Sequence, residues 1–199
     1  MKQQETYIKN QLLKKVFYKT IVRNINIVSQ SKKHLLKTKK AIDLIFKIDP
    51  SFFDKEKILK VILIYPGNTE IGCIFERERI YVNQPKHINQ SSVLWWASTI
   101  MHESWHVHQF NYSPMITNGR AEYGAYRIQR KFLEKLKAWY EIRWLDKMQK
   151  EKWWKSEKTL FKKGVGYDAE SRNAMQLKFE KFVYLYMHNK LHIQTIESR

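Results

Sequence analysis

The chain has 199 residues, 37 Lys and Arg against 19 Asp and Glu, and a formal charge of +18 at pH 7, a length that suits one globular domain over residues 1–199. With 43% hydrophobic and 14% aromatic residues it has the apolar material for a core, which excludes a disordered basic tail. Its single cysteine, Cys73, excludes an internal disulfide and a thiolate zinc cluster, so any metal is held by His and carboxylates.

No uninterrupted apolar stretch follows Met1, and Lys14, Lys15 and Lys19 break up the weakly apolar residues beyond it, so no secretion signal is read. The longest apolar run, Val61 to Tyr65, falls far short of the roughly 20 residues that cross a bilayer. The expectation is a cytoplasmic protein without a transmembrane segment. Residues 5–29 place Ile8, Leu12, Val16, Ile21, Ile25 and Val28 at mostly three-to-five spacing, which predicts one amphipathic helix. A second helix is predicted from Lys33 to Ile48, stopped by Asp49-Pro50-Ser51 because proline disfavours helical geometry in the residue before it. Residues 1–50 are thus expected to be N-terminal helices.

The pattern changes over residues 58–83. Leu59 to Tyr65, Glu70 to Phe75 and Arg79 to Asn83 read as short strands, with turn chemistry at Pro66-Gly67-Asn68, which predicts a small antiparallel sheet. Helix returns in residues 91–136, where Ser91 or Ser92 caps a segment running to Tyr112 and Ser113-Pro114 ends it. Asn118-Gly119 precedes a helix from Arg120 to Lys150, and a last helix is predicted from Asp168 to His188 with Met175, Phe179, Phe182, Val183 and Tyr186 as its buried stripe. The expected class is α+β, mostly helical, with the small sheet preceding the helix that carries the chemistry.

That helix contains His102-Glu103-Ser104-Trp105-His106, a match to H-E-x-x-H. At 100° per residue His106 lies about 40° round from His102 and one turn along, so both imidazoles can reach one ion. Glu103 projects beside that ion but offset from it, where a carboxylate takes a proton from water as a general base. A catalytic zinc needs a third protein ligand and an open fourth position. The best candidate is Glu122, early in the next predicted helix and beyond the chain breaks that let this helix fold back.

The stretch from Ala97 to Gln109, followed by Gly119-Arg120-Ala121-Glu122-Tyr123-Gly124-Ala125 and on to Gln129, resembles the zincin metallopeptidases of the gluzincin type. The resemblance covers about residues 78–136. It implies that His102, His106 and Glu122 bind Zn²⁺, that Glu103 is the catalytic base, and that Ala125 fills the small position three after the glutamate. It also implies that Arg79 to Asn83 is the strand that runs along a protein or peptide substrate. The chain departs from the family at Trp105, where many zincins place Gly or Ala before the second histidine. It has no downstream Cys cluster of the kind found in SprT-like proteases. The H-E-x-x-H helix alone also resembles ImmA/IrrE-type peptidases, without a helix-turn-helix to accompany it.

Around the motif, His108 points away from the ligand face, whereas Gln109 returns to it. The donor to a developing oxyanion stays open among Tyr112, Tyr123, Tyr126 and His188. Trp95 and Trp96 read as core or pocket wall. Lys147 to Lys163 alternates lysines with Trp153, Trp154 and Phe161, a composition used on nucleic acids. Two functions follow: a zinc metallopeptidase, or a basic protein with a non-catalytic zincin-like site whose charge engages nucleic acid or an acidic partner.

Overall fold

A computed structural model describes residues 2–52, 58–67, 72–112, 118–151 and 169–196. Helix α1 (Lys2–Leu13) leads into β1 (Val16–Val22) and β2 (Ile25–Ser29), and α2 (Lys32–Ile48) ends at a 3₁₀ turn over Pro50–Phe52. Strands β3 (Val61–Ile64), β4 (Cys73–Phe75) and β5 (Ile80–Asn83) follow, then α3 (Pro85–Gln90), α4 (Val93–Tyr112), α5 (Asn118–Lys135), α6 (Trp139–Glu151), α7 (Ala169–Met187) and β6 (His192–Thr195).

The single helix expected over residues 5–29 is a helix followed by a hairpin. Val16-Phe17-Tyr18-Lys19-Thr20-Ile21-Val22 is rich in β-branched and aromatic side chains, which fit a pleated surface better than a helix. Arg23 and Asn24 both take positive φ, 49° and 65°, the two-residue turn whose twist matches paired antiparallel strands. Thr20 then faces Ile27 across the hairpin.

The sheet also departs from the expected small antiparallel one. It is six-stranded and mixed, in the order β4-β5-β3-β2-β1-β6. The central strands β2, β3 and β5 are parallel, with Ile62 opposite Ile27 on one side and Tyr81 on the other. The outer pairings β1–β2 and β4–β5 are antiparallel, and β6 lies parallel to β1. All four side chains of β3 are buried, as a strand covered by helices on both faces requires. On one face Ile27, Ile62 and Tyr81 pack with Leu35 and Ile42 of α2, Trp96 and Ile100 of α4, and Phe132 of α5. On the other, Phe17, Leu63 and Val82 pack with Leu12 of α1 and Phe179 and Phe182 of α7. No helix among the described residues is long and apolar enough to cross a membrane.

The predicted start of α4 is resolved in favour of Ser92, whose Oγ accepts from the Trp95 backbone N–H at 2.9 Å. Ser91 instead donates its hydroxyl to the His87 carbonyl and closes α3, a helix the sequence pattern did not announce. Ser113-Pro114 lies outside the described residues. The helix expected from Arg120 to Lys150 is broken in two at Lys137, which takes φ 53°. In α7 the buried stripe holds Met175, Phe179, Phe182 and Val183, while Leu185 is buried and Tyr186 half-buried; Asp168 lies outside the described residues.

Helix α4 is anchored to α2 by Trp96, which is fully buried and donates its indole N–H to Thr38 Oγ1 at 3.1 Å. Trp95 is half-buried against the same core. Trp96→Phe shrinks the ring and strands the Thr38 hydroxyl, so stability is expected to fall by about 1–3 kcal/mol. A lower urea midpoint at unchanged slope would register it.

Candidate metal centre

His102 and His106 stand one turn apart on α4, and Glu122 comes from the second turn of α5, which packs along α4. Their ligating atoms face one another. His102 Nε2 lies 3.2 Å from His106 Nε2, Glu122 Oε2 lies 3.5 Å from His102 Nε2, and Glu122 Oε1 lies 3.5 Å from His106 Nε2. The three sequence-predicted ligands are thus brought together, and among the described residues they form the one His/Cys/Asp/Glu group close enough to share an ion.

These side chains fit a small divalent cation. With ligand bonds of about 2.0–2.1 Å, a tetrahedral ion separates its ligand atoms by roughly 3.3–3.4 Å, close to the observed spacings. At 3.5 Å the carboxylate contacts exceed hydrogen-bond length. Glu122 Oε2 is buried and has no hydrogen-bond partner among the described residues, a costly arrangement for a lone carboxylate oxygen. The His102, His106 and Glu122 side chains keep 10%, 11% and 19% exposure, so the cluster is enclosed on most sides but reachable.

Charge is distributed unevenly across the site. Burial alone would lower the His102 pKa, but the facing Glu122 carboxylate and the charge of Glu103 outweigh it, and the pKa is raised. Burial and the charge of His102 depress His106 to about 4. For Glu122, burial pushes upward, yet the two imidazoles win and the carboxyl is held below its ordinary value. Glu103 is half-buried on the α4 face next to the ligands. Burial pushes its carboxyl up to about 7, helped by Glu122 and Glu76 and opposed by His102.

The close approach of α4 and α5 has a specific cause. A Cβ at Gly124 would stand 2.5 Å from Gln109 Nε2 and 3.0 Å from Trp105 Nε1. The bulky Trp105 before the second histidine is therefore accommodated by a missing side chain on the opposite helix. Gln109 crosses the same gap and donates to the Ala121 carbonyl at 3.1 Å, tying the ligand helices together one residue before Glu122. Ala125, at the expected small position, is fully buried. Gly124→Leu overpacks this contact, and a loss of about 1–3 kcal/mol is expected, together with weaker zinc uptake. Pairing it with Trp105→Ala should recover part of both, as read by melting and metal titration.

Tyr126 and Gln129 share the Glu122 face of α5 at helical spacing. The Tyr126 ring lies 4.7 Å from the His102 ring. Gln129 Nε2 donates to Ser98 Oγ at 3.0 Å, a second tie between α5 and α4, while His102 Nδ1 is buried without a hydrogen-bond partner among the described residues. Of the other donor candidates, Tyr123 is exposed beside Glu122, Tyr112 packs on His108, and His188 sits against Tyr184 on α7, across the sheet. His108 is stacked between Trp105 and Tyr112 and takes no part in the ligand group.

The strand expected to run along a substrate needs correction. Arg79 to Asn83 maps onto β5, which is interior, flanked by β4 and β3 with its four strand residues buried. The sheet edge nearest α4 is β4, bonded among the described residues only to β5 and in contact with α4. The charge of Glu103 reaches Cys73 on this strand, whose thiol is pushed up to about 12 by burial, with Glu103, Glu76 and Glu180 adding to it. Only about one thiol in 10⁴ is then ionised at pH 8. Native protein is expected to resist iodoacetamide there, with a rate rising about tenfold per pH unit and jumping on unfolding.

Comparison with known proteins returns no matching family model, no similar curated protein and no similar solved structure.

Proposed function

We propose that the chain is a zinc-dependent peptidase whose ion is held by His102, His106 and Glu122 and whose general base is Glu103. The observation behind this reading is the convergence of two imidazole nitrogens and a carboxylate, from two helices, on one point, with Glu103 next to His102 in α4 and near enough for its charge to act on that imidazole. Two His and one carboxylate form a donor set that suits zinc and leaves a coordination position free. When bound, zinc supplies Lewis acidity that polarises a carbonyl and acidifies water.

The chain's own residues account for the rest. Glu103 takes a proton from the attacking water and delivers it to the leaving amine, the two transfers a single positioned carboxyl can make. Tyr126 packs its ring on His102, and Gln109 and Gln129 tie α4 to α5, so the ligand atoms need little rearrangement. The free edge of β4 offers backbone donors and acceptors along which an extended peptide can pair beside α4.

The test is hydrolysis of an unstructured polypeptide by zinc-loaded protein, its loss on chelation and its return with added zinc. Protein that takes up no zinc, or that binds it through residues other than these three, would remove the reading.

A further inference from the structure

Away from the metal site, α6 presents an outer face whose composition the peptidase reading does not use. At 100° per residue, Trp139, Tyr140, Arg143, Trp144, Lys147 and Lys150 fall within an arc of about 140°. All six are exposed, and the three aromatics reach 61%, 75% and 50% exposure, where a surface helix ordinarily turns such rings inward. Ile142 and Leu145 fill that inward role and are buried.

From Trp139 to Lys150 the arc carries no acid, and Glu151, the last residue of the helix, is the one acidic position that falls on it. Glu141 and Asp146 lie outside it: Glu141 accepts from Ser92 Oγ at 3.4 Å, and Asp146 pairs with Arg130. Arg143 and Lys150 make no ion pair among the described residues, and Lys147 Nζ lies 5.6 Å from the Trp144 ring centre. Cations and flat rings therefore alternate along one helix, facing solvent.

We infer that this face binds single-stranded nucleic acid, with Arg143, Lys147 and Lys150 on phosphates and Trp139, Tyr140 and Trp144 under bases. Phosphates complement the excess of Arg143, Lys147 and Lys150 over Glu151, and bases offer the π-faces that solvent-exposed rings stack on. A lipid surface fits less well, because the arc lacks the aliphatic side chains that an interfacial helix sinks into acyl chains. Residues 152–168 contain five lysines against Glu157 and Asp168, which makes them a poor electrostatic match for this face. Asp146 pairs with Arg130, eight residues or about 12 Å along α5 from Glu122, and no residue of the arc belongs to the ligand group, so the face is testable independently of the metal. Trp153, Trp154 and Phe161, the aromatics singled out in the sequence, lie outside the described residues.

The experiment is fluorescence anisotropy of a labelled oligothymidylate with the full chain over a salt series. Trp144→Ala and Tyr140→Ala are each expected to weaken binding about 5- to 150-fold, and Arg143→Gln or Lys147→Gln to flatten the log–log salt slope by about 0.7 each. Far-UV spectra and zinc uptake matching wild type would confirm that the variants fold. Oligothymidylate binding that ignores the aromatic substitutions would overturn the inference in favour of diffuse charge. So would duplex DNA binding equally well, or capture by phosphatidylserine vesicles without oligonucleotide binding.

Discussion

Glu103→Gln is expected to keep the zinc and lose the hydrolysis, with turnover falling about 10²–10⁴-fold, the range a positioned acid–base group contributes. The amide keeps the shape of the carboxylate but cannot accept a proton, and His102, His106 and Glu122 are untouched. Metal analysis beside a fluorogenic peptide assay separates the two outcomes. A variant with wild-type turnover would deny Glu103 its role. The same substitution has a stability signature in metal-free protein. Burial holds the folded carboxyl at about 7 against an ordinary 4.5, so the folded state binds the proton more tightly and wild type loses stability as pH rises through that interval. The Gln variant carries no such cost. It should therefore be more stable than wild type above pH 7, and the gap should close below about pH 4.5.

Zinc is expected to raise the melting temperature by about 5–15 °C when present at 100 to 1,000 times its dissociation constant. That excess is worth about 2.7–4.1 kcal/mol, and each kcal/mol moves a chain of this size by about 2–4 °C. His106→Ala or Glu122→Ala should abolish most of the shift, since each removes one of three ligands and leaves too few to hold the ion tightly. Scanning calorimetry with zinc and then with chelator provides the comparison. Equal zinc shifts in the variants and the wild type would place the ion elsewhere. Glu122→Ala should also cost stability without metal, because it takes away the carboxylate facing His102.

What the sequence made legible was local. Helix α2 runs from Lys32 to Ile48, one residue from the expected start, because a clear amphipathic stripe ends in Asp49-Pro50. The grouping of His102, His106 and Glu122 was legible for the same reason, since i, i+4 spacing fixes two histidines on one face and a helix returning after a break offers the third group. The sheet was not, because strand pairing joins residues far apart in sequence. Nothing near His192 announces that it pairs beside Val16, and Val16, Ile21, Ile25 and Val28 satisfy a helical stripe as loosely as two strands. The edge was misplaced for a related reason: β4 and β5 differ in exposure only through neighbours that lie elsewhere in the chain. Gln109, Gly124 and Gln129 owe their roles to how α4 meets α5, a relation between two helices that neither helix encodes alone.

The knob of Trp105 seated against the bare backbone of Gly124 makes these two positions one unit of inheritance. Bulk at Gly124 should be gained only where both Trp105 and Gln109 give way, since a side chain there meets Gln109 Nε2 first and Trp105 next.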